Sequence, residues 1–214
     1  MRCKLCNNKK LIEFVDLGKQ PLANKYPKNN QEIKKEKKYH LKVLFCYKCK
    51  SAQIKKIISR QTMFKDYYYL SSVNQGLVKH FESLAKKLKK SNFVLDIGSN
   101  DGILLKPLKR LGVKAIGIDP AENVGKIAND RGLTTIIDFF NYKSVKKITK
   151  EFSKPDFIVA SSIFTHLDNP INFGKNIKTL LKEEGTFILE IEYLINIIKN
   201  LEYERFYFDR PFYY

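Results

Sequence analysis

The apolar residues divide the chain into an irregular first part and a longer part in which strand and helix patterns alternate. After Asn92, runs typical of buried strands lie at residues 93–97, 114–118, 134–137, 156–160 and 186–191. Helix patterns lie at residues 102–111, 122–131, 142–152, 170–182 and 193–201. Strands that alternate with helices predict an α/β fold with a parallel sheet and helices on both faces.

The first part of the chain carries weaker signals. Residues 41–45 and 52–58 have the pattern of short strands, and the polar segment Gln31–Lys38 predicts an exposed loop or a mobile hairpin. The tyrosine-rich segment Met63–Ser72 leads into an amphipathic helix at residues 75–90. These patterns divide the chain into a small domain, a tyrosine-rich linker with its lead helix, and an α/β domain, at residues 1–60, 61–91 and 92–214.

The first strand of the α/β domain ends in Asp96 and runs into the small-residue loop Gly98-Ser99-Asn100-Asp101-Gly102. Glycine has no Cβ, so the backbone can turn sharply at Gly98 and Gly102 and a ligand can lie against it. The next strand ends in Asp119, where a carboxylate can accept both hydroxyls of a ribose. This arrangement is typical of a Rossmann-like sheet that binds a cofactor containing adenosine.

The loop chemistry distinguishes between two such cofactors. A dinucleotide site presents a G-x-G-x-x-G loop to an anionic pyrophosphate, which Asp96 and Asp101 would repel. The same carboxylates suit the ammonium and sulfonium groups of S-adenosylmethionine (SAM). After the third strand, Asp138 and Phe139 suit an adenine amino group and ring, although Asp138 could equally cap the next helix. We therefore predict a methyl-donor site; the simpler alternative is a turn that merely needs glycines.

The cysteines form two Cys-x-x-Cys pairs, Cys3 with Cys6 and Cys46 with Cys49. Each pair can place two thiolates on one side of a metal, and four thiolates complete a tetrahedral zinc shell. Disulfides and a redox pair are the alternatives. A closed shell leaves no open coordination position, so the spacing predicts a structural zinc ion without a catalytic role.

Composition bears on partners and location. The formal net charge is +18, but the lysines are scattered and arginine is sparse, which argues against a nucleic-acid surface. A solvated lysine-rich surface explains the charge, and attraction of an anionic small substrate is the alternative. No apolar run is long enough to span a bilayer, and the first residues do not form a signal peptide, so we expect a cytoplasmic protein without a membrane partner.

Several segments together resemble the sugar C-methyltransferases that act on nucleotide-linked deoxysugars. The matching segments are Asp16–Asn24, Cys46–Cys49, Phe64–Ser72, the DIGSNDG loop and Gly117–Ala121. The resemblance implies an N-terminal zinc-binding domain, a class I SAM-dependent methyltransferase domain, and a nucleotide-sugar substrate. It also implies that Pro120 and Ser162 contact the cofactor. His166 and the tyrosines Tyr67, Tyr69 and Tyr207 are the implied catalytic residues, with packing as the plain alternative for each tyrosine.

The sequence also departs from this family. Ser162 stands where the family usually has asparagine, and Tyr207-Phe208-Asp209-Arg210 replaces a Tyr-His-Glu-His element. The family's C-terminal domain and the hairpin beside the fifth strand have no counterpart. We expect the fifth strand to form an exposed edge that needs a partner chain or the missing domain. We also expect this chain alone to transfer methyl groups slowly. A methyltransferase for another small molecule or a nucleic acid, and a non-enzymatic SAM-binding partner subunit, remain alternatives.

Overall fold

The computed structural model describes residues 1–24, 26–64, 67 and 69–214 of the chain. Lys65, Asp66 and Tyr68, which belong to the tyrosine-rich segment, lie outside the described residues. The chain divides into two compact units. The first unit contains Met1–Met63, Phe164–Pro170 and Ile191–Tyr214, and the second contains Phe64–Ile163 and Ile171–Glu190. Residues 164–170 and 191–214 therefore lie with the N-terminal residues, although the sequence analysis placed them in the α/β domain.

The strands are β1 (Leu11–Gln20), β2 (Tyr39–Cys46), β3 (Ala52–Ile54), β4 (Phe93–Ile97), β5 (Lys114–Asp119), β6 (Thr135–Ile137), β7 (Phe157–Ser161), β8 (Thr186–Glu190) and β9 (Phe212–Tyr213). The helices are α1 (Asn30–Lys35), α2 (Arg60–Phe64), α3 (Gln75–Lys87), α4 (Leu105–Arg110), α5 (Glu122–Asp130), α6 (Tyr142–Glu151), α7 (Pro170–Leu180) and α8 (Leu194–Lys199). Within the residues that the structure describes, no helix combines the length and apolarity needed to cross a membrane.

The first unit is built on an antiparallel sheet with the strand order β1-β2-β3-β9. The outer strand β9 comes from the C-terminal residues: Ala52 pairs with Tyr213 and Gln53 with Phe212. Phe212 and Tyr213 are fully buried, and the Tyr213 ring packs edge-on against Phe206 at a centroid distance of 4.8 Å. The C-terminal segment therefore supplies a strand and aromatic core residues to the N-terminal sheet.

Two predictions for the first unit are wrong in part. Residues 30–35 form helix α1 rather than a loop or hairpin, because the Asn29 side chain accepts hydrogen bonds from the N–H groups of Gln31 and Glu32. The strand expected at residues 52–58 ends at Ile54. Strand β1, which contains two register shifts, was not predicted, because such irregularities interrupt the alternation that identifies a strand.

The second unit confirms the predicted α/β fold. Its five strands are all parallel, in the order β6-β5-β4-β7-β8, and every residue of the central strand β4 is buried. The chain runs from β4 outward through β5 and β6, and then returns to the other side of β4 through β7. Ligands in open α/β sheets bind at the carboxyl ends of the strands beside such a reversal. A ligand site is therefore expected at the carboxyl ends of β4, β5, β7 and β8.

Helix α3 covers one face of this sheet. Its buried side chains Phe81, Leu84 and Ala85 pack in one apolar cluster with Val94 of β4 and Val159 of β7. The sheet is less well covered at strand β8, which is an edge strand and whose Leu189 is 37% exposed. Among the described residues, β8 therefore has no strand paired to its outer side, as the sequence analysis expected.

Candidate functional site

The loop after β4 has a backbone that only particular residues can adopt. Gly98, Asn100 and Gly102 have positive φ angles of 76°, 48° and 82°. A Cβ on Gly98 would lie 2.3 Å from a methyl carbon of Ile163, and one on Gly102 would lie 2.3 Å from a methyl carbon of Leu133. Both glycines are therefore required by conformation and by space. Asparagine is among the residues that tolerate the left-handed region best.

The carboxylate of Asp119 fastens this loop to the end of β5. Its Oδ2 accepts a hydrogen bond of 2.9 Å from the Asn100 N–H, and its Oδ1 accepts one of 2.9 Å from the Ala121 N–H. Burial raises the pKa of Asp119, while these two donors act in the opposite direction by favouring the ionised form. Both oxygens of Asp119, the residue expected to accept the ribose hydroxyls, thus already accept backbone N–H groups that fix the loop.

Asp96 presents a different environment at the end of β4. Asp96 is 3% exposed, and no hydrogen bond to its carboxylate is found among the described residues. Burial raises the pKa of Asp96 to about 7, and the neighbouring charges of Asp119 and Glu190 add to the shift. A buried carboxyl without a partner, beside two other acids, favours a cationic ligand.

Asp101 is already neutralised by the protein. It forms an ion pair of 2.9 Å with Nη1 of Arg131, and its fully buried side chain also accepts a hydrogen bond from the Ser72 hydroxyl. The sequence analysis expected Asp101 to attract the charges of SAM. These contacts instead show that Asp101 fixes the loop in place. Of the two loop acids, Asp96 is therefore the one whose charge is not balanced by a basic side chain.

The tyrosine-rich segment runs beside the loop. The Asn100 side chain donates to the carbonyl of Tyr69 at 3.0 Å and accepts from the Ser71 N–H at 2.9 Å. The Asn123 side chain likewise donates to the carbonyl of Tyr67 at 2.8 Å and accepts from its N–H at 3.3 Å. The structure therefore brings Tyr69 to the predicted cofactor loop and Tyr67 to the start of α5, in both cases through backbone groups.

The remaining predicted cofactor residues line the neighbouring strand ends. Asp138 is exposed, and its carboxylate accepts from the Phe139 N–H at 2.7 Å. The N-cap of helix α6 is Asn141, so Asp138 does not cap this helix, which was the alternative role considered for it. Pro120 and Phe139 are half-buried at the ends of β5 and β6.

Ser162 follows β7 with a φ of 58°, in the left-handed region. Its N–H donates to the carbonyl of Glu190 at 2.8 Å, which holds the turn after β7 against the end of β8. The left-handed conformation costs a residue with a Cβ about 1–2 kcal/mol, and asparagine is among the exceptions. This is a physical reason for asparagine at the corresponding position of similar enzymes.

His166 and Tyr207 lie together in the first unit. The Nδ1–H of His166 donates to the carbonyl of Asp209 at 2.5 Å, which fixes the proton on Nδ1. Burial raises the pKa of Tyr207 to about 12, and the Arg210 guanidinium lies 4.6 Å from the centre of its ring. The two side chains are thus held by the same C-terminal turn.

The residues at the positions of the absent histidines have structural partners. Phe208 is buried and packs edge-on against Tyr39 at 5.9 Å. Arg210 is 8% exposed and forms an ion pair with Glu192. These side chains are packed and paired inside the first unit at the positions where the resembling family has ionisable imidazoles.

Sequence reasoning placed Glu190 at the end of the fifth strand, where it can face the substrate, but missed its pairing with His80 at the carboxyl edge of the sheet. The Nε2 atom of His80 lies 2.8 Å from Oε1 of Glu190, and the Ser161 hydroxyl donates to Oε2 of Glu190 at 2.7 Å. No sequence motif surrounds His80. No local signal could have revealed the pair, since the two residues are 110 positions apart.

The four cysteines converge in the first unit. Their Sγ atoms all lie within 4.8 Å of one another, with 3.7 Å between Cys3 and Cys49 and 3.6 Å between Cys6 and Cys46. A tetrahedral zinc ion with Zn–S bonds of about 2.3 Å requires S–S separations of about 3.8 Å. The four thiols fit this geometry, and they are free rather than paired in disulfides. A zinc ion held by Cys3, Cys6, Cys46 and Cys49 would stabilise the fold and leave no position open for a substrate.

The two cysteine turns have the same backbone design. Asn7 and Lys50 follow the second cysteine of each pair, and both have a φ of 60°. The Asn7 N–H donates to the carbonyl of Cys3, and the Lys50 N–H donates to that of Cys46. Two equivalent turns thus present their thiols to a common centre.

Comparison with known proteins places the chain in a family. The family profile described as "Methyltransferase domain" matches residues 69–211, and the profile described as "Putative zinc binding domain" matches residues 3–64. The first match covers well over half of the chain, so this protein belongs to the methyltransferase domain family. SAM is the methyl donor of such enzymes. In this chain the four clustered cysteines precede the methyltransferase domain and lie within the residues that match the zinc-binding profile.

Individual relatives are more distant. The C-methyltransferase NovU of Streptomyces niveus is 24% identical over 218 aligned positions, which cover 99% of this chain and 52% of NovU. The mitochondrial ubiquinone biosynthesis O-methyltransferase of Arabidopsis thaliana is 28% identical over 127 positions, covering 56% of this chain and 39% of that enzyme. The chain thus spans about half the length of NovU and a smaller part of the Arabidopsis enzyme.

Among solved structures, the plantazolicin methyltransferase BpumL in complex with S-adenosylhomocysteine is 22% identical. The similarity has a TM-score of 0.46 and covers 58% of this chain and 49% of BpumL.

Proposed function

We propose that this chain is the SAM-binding and zinc-binding part of a C-methyltransferase that acts on a nucleotide-linked keto-deoxysugar. The observation that carries the proposal is the alignment of nearly the whole chain, zinc cysteines and cofactor loop included, with a C-methyltransferase. The sugar is proposed from the resemblance of the Phe64–Ser72 and Asp16–Asn24 segments to sugar-modifying enzymes. Two Cys-x-x-Cys pairs that bind zinc rather than form disulfides are typical of a reducing compartment, which supports a location in the cytoplasm.

The roles of the residues follow from their surroundings. SAM supplies an electrophilic methyl group on a cationic sulfur. The loop between Gly98 and Gly102 would hold its adenosine end, with Asp119 at the ribose and Asp138 at the adenine. Asp96 would balance the positive charge of the donor. His166 and the tyrosines 67, 69 and 207 would orient the substrate or stabilise its oxyanion.

The exposed strand β8 supports a further part of this proposal. An apolar edge strand is normally covered, since its unpaired backbone groups invite association. We propose that another domain or a partner chain covers it in the working enzyme.

A second candidate function is a SAM-binding subunit with little activity of its own. It is favoured by Phe208 and Arg210, which are buried structural residues at the positions of the family's histidines. Another kind of methyltransferase is the third candidate, since O-methyltransferases also match.

Methyl transfer tests the proposal directly. Protein in excess over a nucleotide-linked 4-keto-6-deoxyhexose, with methyl-labelled SAM, is expected to form a new carbon–carbon bond that mass spectrometry locates on the sugar ring. Excess protein reveals even slow turnover, and Asp119→Ala protein, whose affinity for the donor is expected to be lower, serves as the control. Donor binding without any methylated sugar would favour the subunit, and methylation of an oxygen would favour the third candidate.

The affinity for SAM is expected to rise with pH because of Asp96. Its pKa of about 7 means that the carboxyl is largely protonated at about pH 6 and ionised at about pH 8, and only the ionised form attracts the donor. The gain should be roughly fivefold to tenfold over this range by proton linkage, with a proton released on binding at the lower pH. The same raised pKa stabilises the free fold at low pH, and this stabilisation is lost as pH rises through the folded-state pKa. Titration calorimetry in buffers of different ionisation enthalpy measures the affinity for SAM and the proton release. Asp96→Asn protein should show neither the pH-dependent affinity nor the proton release. A wild-type affinity that does not change across this pH range would refute the assignment of Asp96.

A further inference from the structure

The Glu190 carboxylate at the end of β8 is held on both of its oxygens. Oε1 lies 2.8 Å from Nε2 of His80, and Oε2 accepts the Ser161 hydroxyl at 2.7 Å. A carboxylate fixed on one side by a hydroxyl can hold an imidazole in a single orientation on the other. His80, Glu190 and Ser161 therefore form an ordered chain of groups rather than an isolated surface pair.

This chain of groups lies at the edge of the sheet where the cofactor loop begins. Asp96 is in register with Val159 of β7, and Ser161, which lies two positions further along the strand, is in register with Glu190 of β8. Side chains two positions apart share a face of the sheet, so Asp96, Ser161 and Glu190 point the same way. Glu190 is close enough to contribute to the raised pKa of Asp96.

The hydrogen bond to Glu190 also fixes the chemistry of the imidazole. An ionised carboxylate only accepts, so Nε2 of a neutral His80 carries the proton and Nδ1 carries the lone pair. No hydrogen bond to Nδ1 is found within the described residues, and the His80 side chain is 48% exposed. In His166 the corresponding atom is occupied, since its Nδ1–H donates to a carbonyl. His80 thus has an accessible basic nitrogen at the carboxyl edge of the sheet.

We propose that Nδ1 of His80 is the base that takes the proton from the substrate carbon beside the ketone, with Glu190 and Ser161 as positioning residues. This inference rests on the proposed C-methylation. The C–H bond breaks, its proton goes to Nδ1, and its electron pair forms the enolate. The enolate carbon then bonds to the methyl carbon of SAM, while the electron pair of the broken C–S bond stays on sulfur and gives S-adenosylhomocysteine.

The decisive experiment separates proton removal from methyl transfer. A nucleotide-linked 4-keto-6-deoxyhexose is incubated in D₂O with the protein and S-adenosylhomocysteine, and exchange of the hydrogen beside the ketone is followed by NMR. His80→Gln protein is expected to exchange and to methylate about 10²–10⁴-fold more slowly than wild type, the usual contribution of a general base. Its affinity for SAM should be unchanged.

His40 provides a matched control, since its Nε2 lies 2.7 Å from a carboxylate oxygen of Asp16 and its side chain is 50% exposed. His40→Gln protein should behave as wild type. Glu190→Gln, which keeps an acceptor for Nε2–H, should retain much of the exchange that Glu190→Leu loses. Exchange by His80→Gln within threefold of wild type, loss of SAM binding in this variant, or a loss of exchange in His166→Gln alone would overturn the role of His80. A wild-type protein that neither exchanges nor methylates would instead refute the proposed function, and the base assignment with it.

Discussion

Replacing Asp119 by alanine is expected to weaken SAM binding by about 1–3 kcal/mol and to destabilise the second unit by a similar amount. The carboxylate accepts two backbone N–H groups, those of Asn100 and Ala121, and each would be left without its acceptor. The loop would then lose its attachment to β5, and the ribose would lose its acceptor. Isothermal calorimetry with SAM and thermal unfolding measure the two effects.

Asp130→Ala protein is the matched control, because Asp130 is an exposed acid at the end of α5 and belongs to the same unit. It should bind SAM as wild type does. Asp119→Asn should lie between the two, since an amide offers one acceptor oxygen in place of two. An Asp119→Ala protein that binds SAM normally would show that the loop needs no such attachment.

Replacing Cys46 by serine is expected to remove zinc and unfold the first unit. The thiol is fully buried, its sulfur lies 3.6 Å from that of Cys6, and binding energy at a four-thiolate site is folding energy. Purified wild-type protein should contain one zinc ion per chain, and the variant should contain far less. Elemental analysis, together with amide hydrogen exchange of residues 39–54, measures zinc content and folding.

The control for this change is Lys48→Ser, which alters an exposed residue of the same turn without touching a thiol. It should retain both zinc and protection from exchange. Because β9 is a strand of the same sheet, amides of Phe212 and Tyr213 should lose protection together with the N-terminal strands in Cys46→Ser protein. A zinc-free wild-type protein with normal protection would contradict the structural role of the metal.

Much of the second unit could be predicted because its information is local. Strand β4 is apolar except for Asp96, since it is buried on both faces, and the glycines beside it mark a backbone that other residues cannot adopt. The zinc centre was predicted for a related reason, because each pair of ligands lies within one turn. Local pattern and function coincide in these segments.

The rest depends on contacts between residues that are distant in sequence. Strand β9 has only two residues, and its pairing with β3 follows from the fold rather than from its own sequence. The pairing of Asp101 with Arg131 has the same origin, and it changes the expected charge of the loop. Helix α1 is the exception, because Asn29 three residues before Glu32 is a local capping signal that could have been recognised.

The most direct test is calorimetry of the wild-type protein with SAM and with NAD under identical conditions. A loop whose uncompensated acid is Asp96 should bind the cationic donor and reject the anionic pyrophosphate. We expect SAM to bind with one site per chain at least tenfold more tightly than NAD, a difference of about 1.4 kcal/mol or more. Tighter binding of NAD, or no binding of SAM, would contradict the assignment of this loop as a methyl-donor site.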